Sequence, residues 1–296
     1  MPAPQHTFLQ GRGLLKVSGD DAQDFLQGLI SNDVTRVDEG HAIYAALLTA
    51  QGKFLFDFFI TQAADGLVLE TERERMGDLI KKLTMYKLRA QVSLQDISDD
   101  FAVAVIWGGG AHELAALPGE AGAAAPWNGG TAIVDPRLAG AGLRVVLAAE
   151  SAAEVAGQWP STPAQPADYD LHRLGLGLPD GSRDLVLEKS ILLESGFDEL
   201  HGVDWEKGCY MGQELTARTK YRGLVKKRLV PVSFDGEVPE PGTPVMIDGK
   251  EAGELRSGRG GKALALMRLE HLANADARFT AGGAALVAHK PDWADF

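Results

Sequence analysis

The chain has 296 residues, of which 45% are hydrophobic, 24% charged and 7% aromatic, and its formal net charge at pH 7 is −12. This composition excludes collagen-like and intrinsically disordered proteins, and the length favours a globular chain with more than one domain. The negative net charge repels nucleic acids, so we expect no nucleic-acid partner unless a local basic segment overrides it.

The single cysteine, Cys209, excludes an internal disulfide and cannot hold a zinc or iron–sulfur site alone. The seven histidines lack the spacing of metal ligands, so we predict no resident metal. Residues 1–6 lack the basic and apolar regions of a signal peptide, and the apolar run at 54–60 is too short to span a bilayer. We therefore expect a cytoplasmic protein without a membrane partner.

Taken in chain order, the hydrophobic pattern predicts mixed strands and helices over the first 225 residues and short strands between turns after them. The predicted strands are 14–17, 43–48, 54–60, 67–70, 88–94, 101–107, 131–134, 143–147, 228–234, 244–247, 254–257, 263–268 and 285–289. One helix is predicted to start after Asp20 or Asp21, and others are predicted at 72–86, 168–178 and 209–219. We therefore predict an α+β region at 1–225 and a small all-β barrel at 226–296.

The segment 207–214 reads Lys-Gly-Cys-Tyr-Met-Gly-Gln-Glu and is the most informative stretch of the chain. A helix starting near Cys209 would place the thiol at its N-terminus beside Lys207, and both the helix dipole and an ammonium favour a thiolate. Gln213 would lie one turn further along the same face. The alternative is that Cys209 is a small buried hydrophobe, and the residues alone leave both interpretations open.

A basic cluster follows, with Arg218, Lys220 and Arg222 and then three consecutive cations at 226–228. Such a cluster is either a solvated face or a docking site for an anionic ligand tail or RNA.

Three further positions carry polar groups in apolar surroundings. Asp57 lies within Phe-Leu-Phe-Asp-Phe-Phe-Ile, where a carboxylate is costly unless it is paired, neutral or open to solvent. Tyr169 and Arg173 are one helical turn apart and could form a polar wall, with a ring for stacking and a guanidinium for a carboxylate. Glu194 lies among leucines just before a glycine.

Residues 207–214 resemble, position by position, the signature Lys-Gly-Cys-(Tyr/Phe)-x-Gly-Gln-Glu of the YgfZ family, folate-binding proteins needed to make or repair iron–sulfur clusters. The similarity continues to the Arg-Gly pair at 222–223 and, more weakly, covers 19–34, 51–53 and 169–179. Within that family the chain looks most similar to the branch that includes the mitochondrial iron–sulfur assembly factor.

The resemblance implies the fold of the glycine-cleavage aminomethyltransferase, with three modules around a central funnel in which tetrahydrofolate binds. Glu194 then matches the acid that binds the pterin ring, Tyr169 an aromatic residue lining the folate site, and Arg173 a group facing the polar end of the ligand. Asp57 falls where the aminomethyltransferases have two acids, but Phe56 replaces the other acid. Lys207 and Cys209 match residues on which the activity of the family depends.

The resemblance therefore implies a tetrahydrofolate-binding accessory protein that supports iron–sulfur cluster assembly or repair through Cys209. Its partners would be folate and iron–sulfur assembly or client proteins. Arg222 and its basic neighbours would bind the glutamate tail of a polyglutamylated folate. The alternatives are a folate-dependent one-carbon transferase using Asp57 and a nucleic-acid-binding module using the basic cluster.

Overall fold

A computed structural model describes residues 3–274 and 277–296; residues 1 and 2, at the N-terminal stretch considered above for a signal peptide, lie outside it. The chain forms two compact units, each assembled from separate stretches of sequence. The first unit comprises Met1–Leu47, Phe56–Tyr169 and His201–Met211, and the second comprises Leu48–Leu55, Asp170–Leu200 and Gly212–Phe296.

Strands dominate both units. In chain order they are β1 (Gln5–Phe8), β2 (Arg12–Ser18), β3 (Ile43–Leu48), β4 (Phe54–Ala63), β5 (Gly66–Glu72), β6 (Ser93–Asp96), β7 (Phe101–Trp107), β8 (Ala124–Trp127), β9 (Gly130–Val134), β10 (Leu143–Ala148), β11 (Thr162–Pro163), β12 (Lys227–Phe234), β13 (Pro244–Ile247), β14 (Lys250–Arg259), β15 (Lys262–Arg268), β16 (Phe279–Ala281) and β17 (Ala284–Ala288). The α-helices are α1 (Ala22–Gln27), α2 (Met76–Lys87), α3 (Ala152–Ala156), α4 (Pro166–Leu176), α5 (Gly181–Asp184), α6 (Gln213–Tyr221) and α7 (Leu269–Leu272).

The first unit contains two sheets. One has the strand order β3-β4-β5-β2-β6, and the other has the order β11-β1-β7-β10-β9-β8. The apolar sequence of β4 is buried on both faces as far as Ile60, as expected for a strand covered on both sides. The antiparallel register of β4 with β5 sets Phe59 opposite Glu70, which brings a carboxylate beside an aromatic ring inside the unit.

The second unit contains a closed barrel with the order β12-β15-β14-β13-β16-β17, so the predicted C-terminal barrel is confirmed. Alternating residues of its strands fill the interior, as in other small barrels. The strand β16 was not predicted, because it is only three residues long and follows a polar stretch.

Three predicted elements differ clearly from the structure. The helix predicted at 72–86 begins only at Met76, because β5 extends to Glu72 and a 3₁₀ turn covers Arg73–Arg75. The strand predicted at 88–94 is replaced by the shorter β6, because α2 runs to Lys87 and Leu88, at φ 46°, turns the chain sharply. The helix predicted at 209–219 begins only at Gln213, so the prediction that it starts near Cys209 and places the thiol at its N-terminus is wrong. Within the described residues, no helix has the length and apolar character required to cross a membrane.

Candidate functional site

Lys207 is a half-buried cation whose ammonium group is held by neutral acceptors. Its Nζ donates hydrogen bonds to the backbone carbonyls of Gln27, Ile30 and Asn32 at 2.8, 2.7 and 2.8 Å. Burial lowers the pKa of Lys207 to about 8, against the opposing effect of Asp33 and Asp204. The group therefore still carries its proton at neutral pH, and its three protons match three acceptors.

Cys209 is exposed, which excludes the interpretation that it is a small buried hydrophobe. It lies on the Cys209 loop, the part of the first unit formed by His201–Met211. The backbone N–H of Met211 donates to the Gly28 carbonyl at 3.0 Å, and the ammonium of Lys207 also lies 5.2 Å from the Tyr210 ring centre. The loop is thus fixed on both sides of an accessible thiol.

The base of the Cys209 loop is fixed by two further contacts. The Asn32 side chain donates to the carbonyl of His201 at 2.7 Å, and the Ser31 hydroxyl donates to the carbonyl of Gly202 at 2.6 Å. Together with Lys207, these bonds connect the loop to the segment that follows α1.

Gly212, the second glycine of the motif, is required by a close backbone approach. It has φ 81°, and a side-chain carbon there would come within 2.4 Å of the Thr49 carbonyl oxygen. The turn glycine Gly52 faces it, since a side-chain carbon on Gly52 would come within 2.6 Å of the Gly212 carbonyl oxygen. The left-handed conformation of Gly212 also explains why α6 cannot begin at Cys209.

Asp57 is a buried carboxylate, 3% exposed, on β4. The Tyr44 hydroxyl donates to its Oδ2 at 2.8 Å, and Thr71 donates to its backbone carbonyl at 2.9 Å. Burial, together with the Asp57 charge, raises the pKa of Tyr44, so Tyr44 stays protonated and acts as a donor. Asp57 therefore does not face solvent, which was the alternative left open by its sequence.

Around Phe59 lies a group of buried charges that we call the arginine–carboxylate cluster: Arg12, Glu70, Asp135, Arg137 and Arg144. Both Arg12 and Arg144 donate from Nε to Glu70 at 2.8 Å, and Arg137 makes two side-chain hydrogen bonds to Asp135 at 3.0 and 2.8 Å. Burial alone would raise the pKa of Glu70, but its two arginines outweigh burial and the pKa is lowered.

The Phe59 ring lies next to three guanidinium groups of the cluster. The guanidinium carbons of Arg144, Arg137 and Arg12 are 4.0, 4.9 and 5.7 Å from its centre. The Tyr44 ring is 5.1 Å from Phe59, and Arg137 lies 5.5 Å from the Tyr44 ring centre. Asp57 and the cluster therefore belong to one continuous polar interior, held against aromatic rings.

Tyr169 is also buried in the first unit, where its ring packs 5.3 Å from that of Trp107. Burial raises its pKa, while the nearby charges of Arg144 and Asp135 act in opposite directions. The structure thus brings Tyr169 and the cluster together, while Cys209 and Lys207 lie on the loop described above.

Glu194 lies in the second unit on a 3₁₀ turn, half-buried. Burial raises its pKa, against the opposing effect of Lys227, Lys53 and Arg228. A carboxyl group in this environment binds a proton more readily than an exposed one, and its oxygens can accept hydrogen bonds from N–H donors.

Arg173 is buried within the second unit and has several partners there. It donates to Asp170 at 2.7 Å, to Asp184 at 2.6 Å, to the Leu178 carbonyl at 3.1 Å and to the Ser257 hydroxyl at 2.6 Å. These contacts fix the part of α4 that follows Tyr169, and they occupy most of the donors with which Arg173 was expected to bind a ligand.

The remaining predicted residues lie on or near α6. Gln213 is half-buried in its first turn, and Arg222 is exposed just after its last turn. Of the predicted site residues, the first unit therefore holds Asp57, Tyr169, Lys207 and Cys209, and the second holds Arg173, Glu194, Gln213 and Arg222.

The sequence analysis missed Tyr44 and the arginine–carboxylate cluster. A signal was present: Arg144 interrupts the apolar strand β10, and Glu70 interrupts β5, as Asp57 interrupts β4. Charged residues inside apolar strands tend to find each other, because each is costly to bury alone. Within the described residues, no group of three or more His, Cys, Asp or Glu side chains could hold a metal ion.

Two sequence families match the chain. The family described as GCVT N-terminal domain matches residues 10–121, and the one described as CAF17, C-terminal beta-barrel domain, matches residues 226–296. Among solved structures, the chain is similar to the glycine cleavage system aminomethyltransferase T from Bartonella henselae, with a TM-score of 0.79 over 99% of this chain and 86% of that one. The two are 16% identical, so this likeness shows the fold alone and confirms the predicted aminomethyltransferase-like fold.

Curated relatives are more similar in sequence. The human mitochondrial iron–sulfur cluster assembly factor IBA57 is 35% identical over 96% of this chain and 84% of its own length. The IBA57 homologue of Mycosarcoma maydis is 36% identical over 75% of this chain, and the homologue of Neurospora crassa is 33% identical over 79%. The chain spans 55% of the length of each of these two fungal proteins.

The cytoplasmic location expected from the sequence is contradicted by these relatives, which are named as mitochondrial proteins. The inference failed because a single cysteine is equally compatible with other reducing compartments.

Proposed function

Because this chain belongs to the family of IBA57 iron–sulfur cluster assembly factors, we propose that it is an accessory protein in the assembly or repair of iron–sulfur clusters. The observation that carries the proposal is the exposed thiol of Cys209 on a loop anchored through Lys207. An accessible thiol on a fixed loop can lose its proton and ligate iron as a thiolate, whereas a buried one cannot reach the metal.

The test is complementation of cells that lack their own family member. Cys209→Ala should abolish the recovery of an iron–sulfur enzyme while leaving a cluster-free enzyme of the same compartment unchanged. Glu206→Ala is the matched control, because Glu206 is exposed on the same loop and carries no thiol. Full recovery by Cys209→Ala would refute the role of the thiol.

We further propose that the ligand is tetrahydrofolate, including its polyglutamylated forms. The half-buried carboxyl group of Glu194 suits the ring N–H and amino donors of a pterin, and the exposed guanidinium of Arg222 suits the carboxylates of a glutamate tail. The buried Tyr169 and Arg173 would act by fixing α4, the helix that carries both. Gln213, in the first turn of α6, is the remaining residue proposed for folate binding.

Folate binding is tested by thermal unfolding with tetrahydrofolate and with its triglutamate, since a ligand of the native state raises the unfolding temperature. Glu194→Gln should weaken both ligands by about 10-fold, the cost of losing a charged hydrogen bond. Arg222→Ala should weaken only the triglutamate, and Lys250→Ala, exposed on the barrel, should weaken neither. A wild-type protein that responds to neither ligand would exclude folate.

A second candidate is one-carbon transfer from folate, favoured by the buried Asp57 carboxylate that accepts from Tyr44. Incubation with tetrahydrofolate and aminomethyl donors should then yield methylene-tetrahydrofolate, and Asp57→Asn should abolish it. If the wild-type protein forms no product with any donor, this candidate is removed.

A further inference from the structure

The end of α6 and the turn after it carry the most basic surface of an acidic chain. Residues 215–234 include six lysines and arginines and no aspartate or glutamate, although the whole chain has a net charge of −12. The exposed cations of this stretch are Arg218, Lys220, Arg222 and Lys226. We call residues 218–226 the basic segment.

Two large apolar side chains stand out on the same segment. Tyr221 is 76% exposed and Leu224 is 46% exposed. Exposed aromatic residues beside arginines are typical of protein-binding surfaces, where tyrosine and arginine supply much of the binding energy.

Two backbone hydrogen bonds hold the turn that presents these side chains. The N–H of Gly223 donates to the Lys220 carbonyl at 3.1 Å, and the N–H of Leu224 donates to the Thr219 carbonyl at 3.0 Å, with Gly223 at φ 57°. This is a Schellman motif, in which the residue at the position of Leu224 frequently packs back onto the helix. Here that leucine is half exposed on a fixed backbone, which lowers the entropy lost when a partner binds.

Helix electrostatics account for only part of the segment. Cations in the last turn of a helix stabilise its dipole, which explains Arg218 and Lys220, and Lys220 also lies 3.4 Å from Asp198. Arg222 and Lys226 lie beyond the helix. Among the residues described by the structure, no carboxylate lies within 4.0 Å of the charged groups of Arg218, Arg222 or Lys226.

We propose that the basic segment docks an acidic protein surface, with Tyr221 and Leu224 as apolar anchors and the cations matching the partner's carboxylates. A protein fits better than RNA, because the net negative charge of the chain opposes nucleic acid and a leucine anchor has no counterpart in base stacking. The proposal does not depend on folate binding, so Arg222 is left unchanged in the test.

The first step of the test replaces residue 221 of the full chain by the photo-crosslinking amino acid p-benzoylphenylalanine and irradiates living cells. The same replacement at Val287, 58% exposed on β17, is the control for random encounters. We expect an adduct at 221 and none at 287, and its mass should be unchanged by ribonuclease. An adduct that ribonuclease removes, or none above the control, would overturn the proposal.

The second step purifies the crosslinked partner and measures its affinity for the unmodified chain. Leu224→Asp should weaken binding about 30-fold, the effect of losing an interface anchor. The double variant Arg218→Glu/Lys226→Glu should weaken binding and reduce its dependence on salt. Leu224→Asp should keep the wild-type unfolding temperature, because Leu224 is half exposed. The double variant should lower it only slightly, because reversing Arg218 removes a helix-dipole interaction worth about 0.3–1 kcal/mol. Unchanged affinity in both would show that the segment is not the docking surface.

Discussion

Both units bury arginines against carboxylates, but the sequence separation between the paired residues differs. In the second unit, the carboxylates that bind Arg173 come from Asp170 and Asp184, 3 and 11 residues away. In the first unit, Glu70 binds Arg12 and Arg144 from 58 and 74 residues away. The Glu70 pairs of the first network therefore form only when the strands have taken their final register, although Arg137 and Asp135 of the same network are two residues apart. The carboxylates that bind Arg173 lie on its own helix and on the short helix after it, whereas its Ser257 partner is 84 residues away.

The two networks also differ in what surrounds the charges. The guanidinium of Arg173 is surrounded by carboxylates, a carbonyl and a hydroxyl, whereas Arg12, Arg137 and Arg144 of the first network all lie beside the ring of Phe59. In the first network, the same arginines therefore pair with carboxylates and pack against an aromatic ring. Asp57, the carboxylate proposed for one-carbon transfer, lies next to this network. Four substitutions separate these contributions.

The largest effect is expected for Arg144→Met, which leaves Glu70 buried with one arginine. Breaking a buried ion pair by removing one partner costs about 3–5 kcal/mol of unfolding free energy. Urea unfolding measures this cost, and adding Glu70→Gln should restore part of it. A loss below about 1 kcal/mol would show that Arg12 alone satisfies Glu70.

Phe59→Leu should cost about 1–3 kcal/mol more than Phe58→Leu. Both rings are buried on β4. Of these two rings, only that of Phe59 lies against guanidinium groups of the described residues. The comparison cancels the loss of apolar volume and isolates the interaction with the cations. Equal losses of unfolding free energy would mean that the ring acts only by packing.

Lys207→Met tests how a half-buried cation, bound by backbone carbonyls and not by a direct ion pair, affects the free energy of unfolding. The folded-state pKa of Lys207, about 8, lies below its ordinary value of 10.5, so the folded chain binds fewer protons than the unfolded chain between these pH values. Raising the pH through this window therefore favours the folded wild-type protein relative to Lys207→Met, by at most about 1.4 kcal/mol per pH unit. Parallel urea unfolding of both proteins at pH 7, 8.5 and 10 measures the difference, and a constant difference would contradict the shifted pKa.

The smallest effect is expected for Arg183→Ala. Its side chain is 45% exposed and pairs with Asp170 and Asp180 at 3.0 and 2.8 Å. An exposed ion pair contributes less than about 1 kcal/mol, so the loss in unfolding free energy should be small and should shrink further in salt. A loss of unfolding free energy above about 2 kcal/mol would show that Arg183 and Arg173 together stabilise the buried carboxylate of Asp170.

Much of the strand structure was predictable, because alternating or continuous apolar runs determine which residues are buried. The predicted strands at 43–48, 101–107 and 244–247 coincide with β3, β7 and β13. The start of α6 was not predictable, because the conformation of Gly212 depends on the approach of the turn at Gly52, 160 residues earlier in the chain.

For the candidate site, sequence reasoning identified single residues better than their surroundings. It selected Asp57 from its apolar neighbours but could not name Tyr44 as its partner, since the pairing depends on how strands β3 and β4 lie in the sheet. It selected Lys207 as a charge beside the thiol, whereas the structure shows an ammonium held by carbonyls from residues 27, 30 and 32.

By itself, the sequence determined the strand pattern, the C-terminal barrel and the family, because hydrophobic periodicity and a specific eight-residue motif are properties of the chain in order. Only the tertiary structure decided that the thiol of Cys209 is accessible, that Lys207 anchors its loop and that three arginines surround one ring. Those features depend on atoms that come together through space from distant positions, and no local pattern of residues specifies such distances.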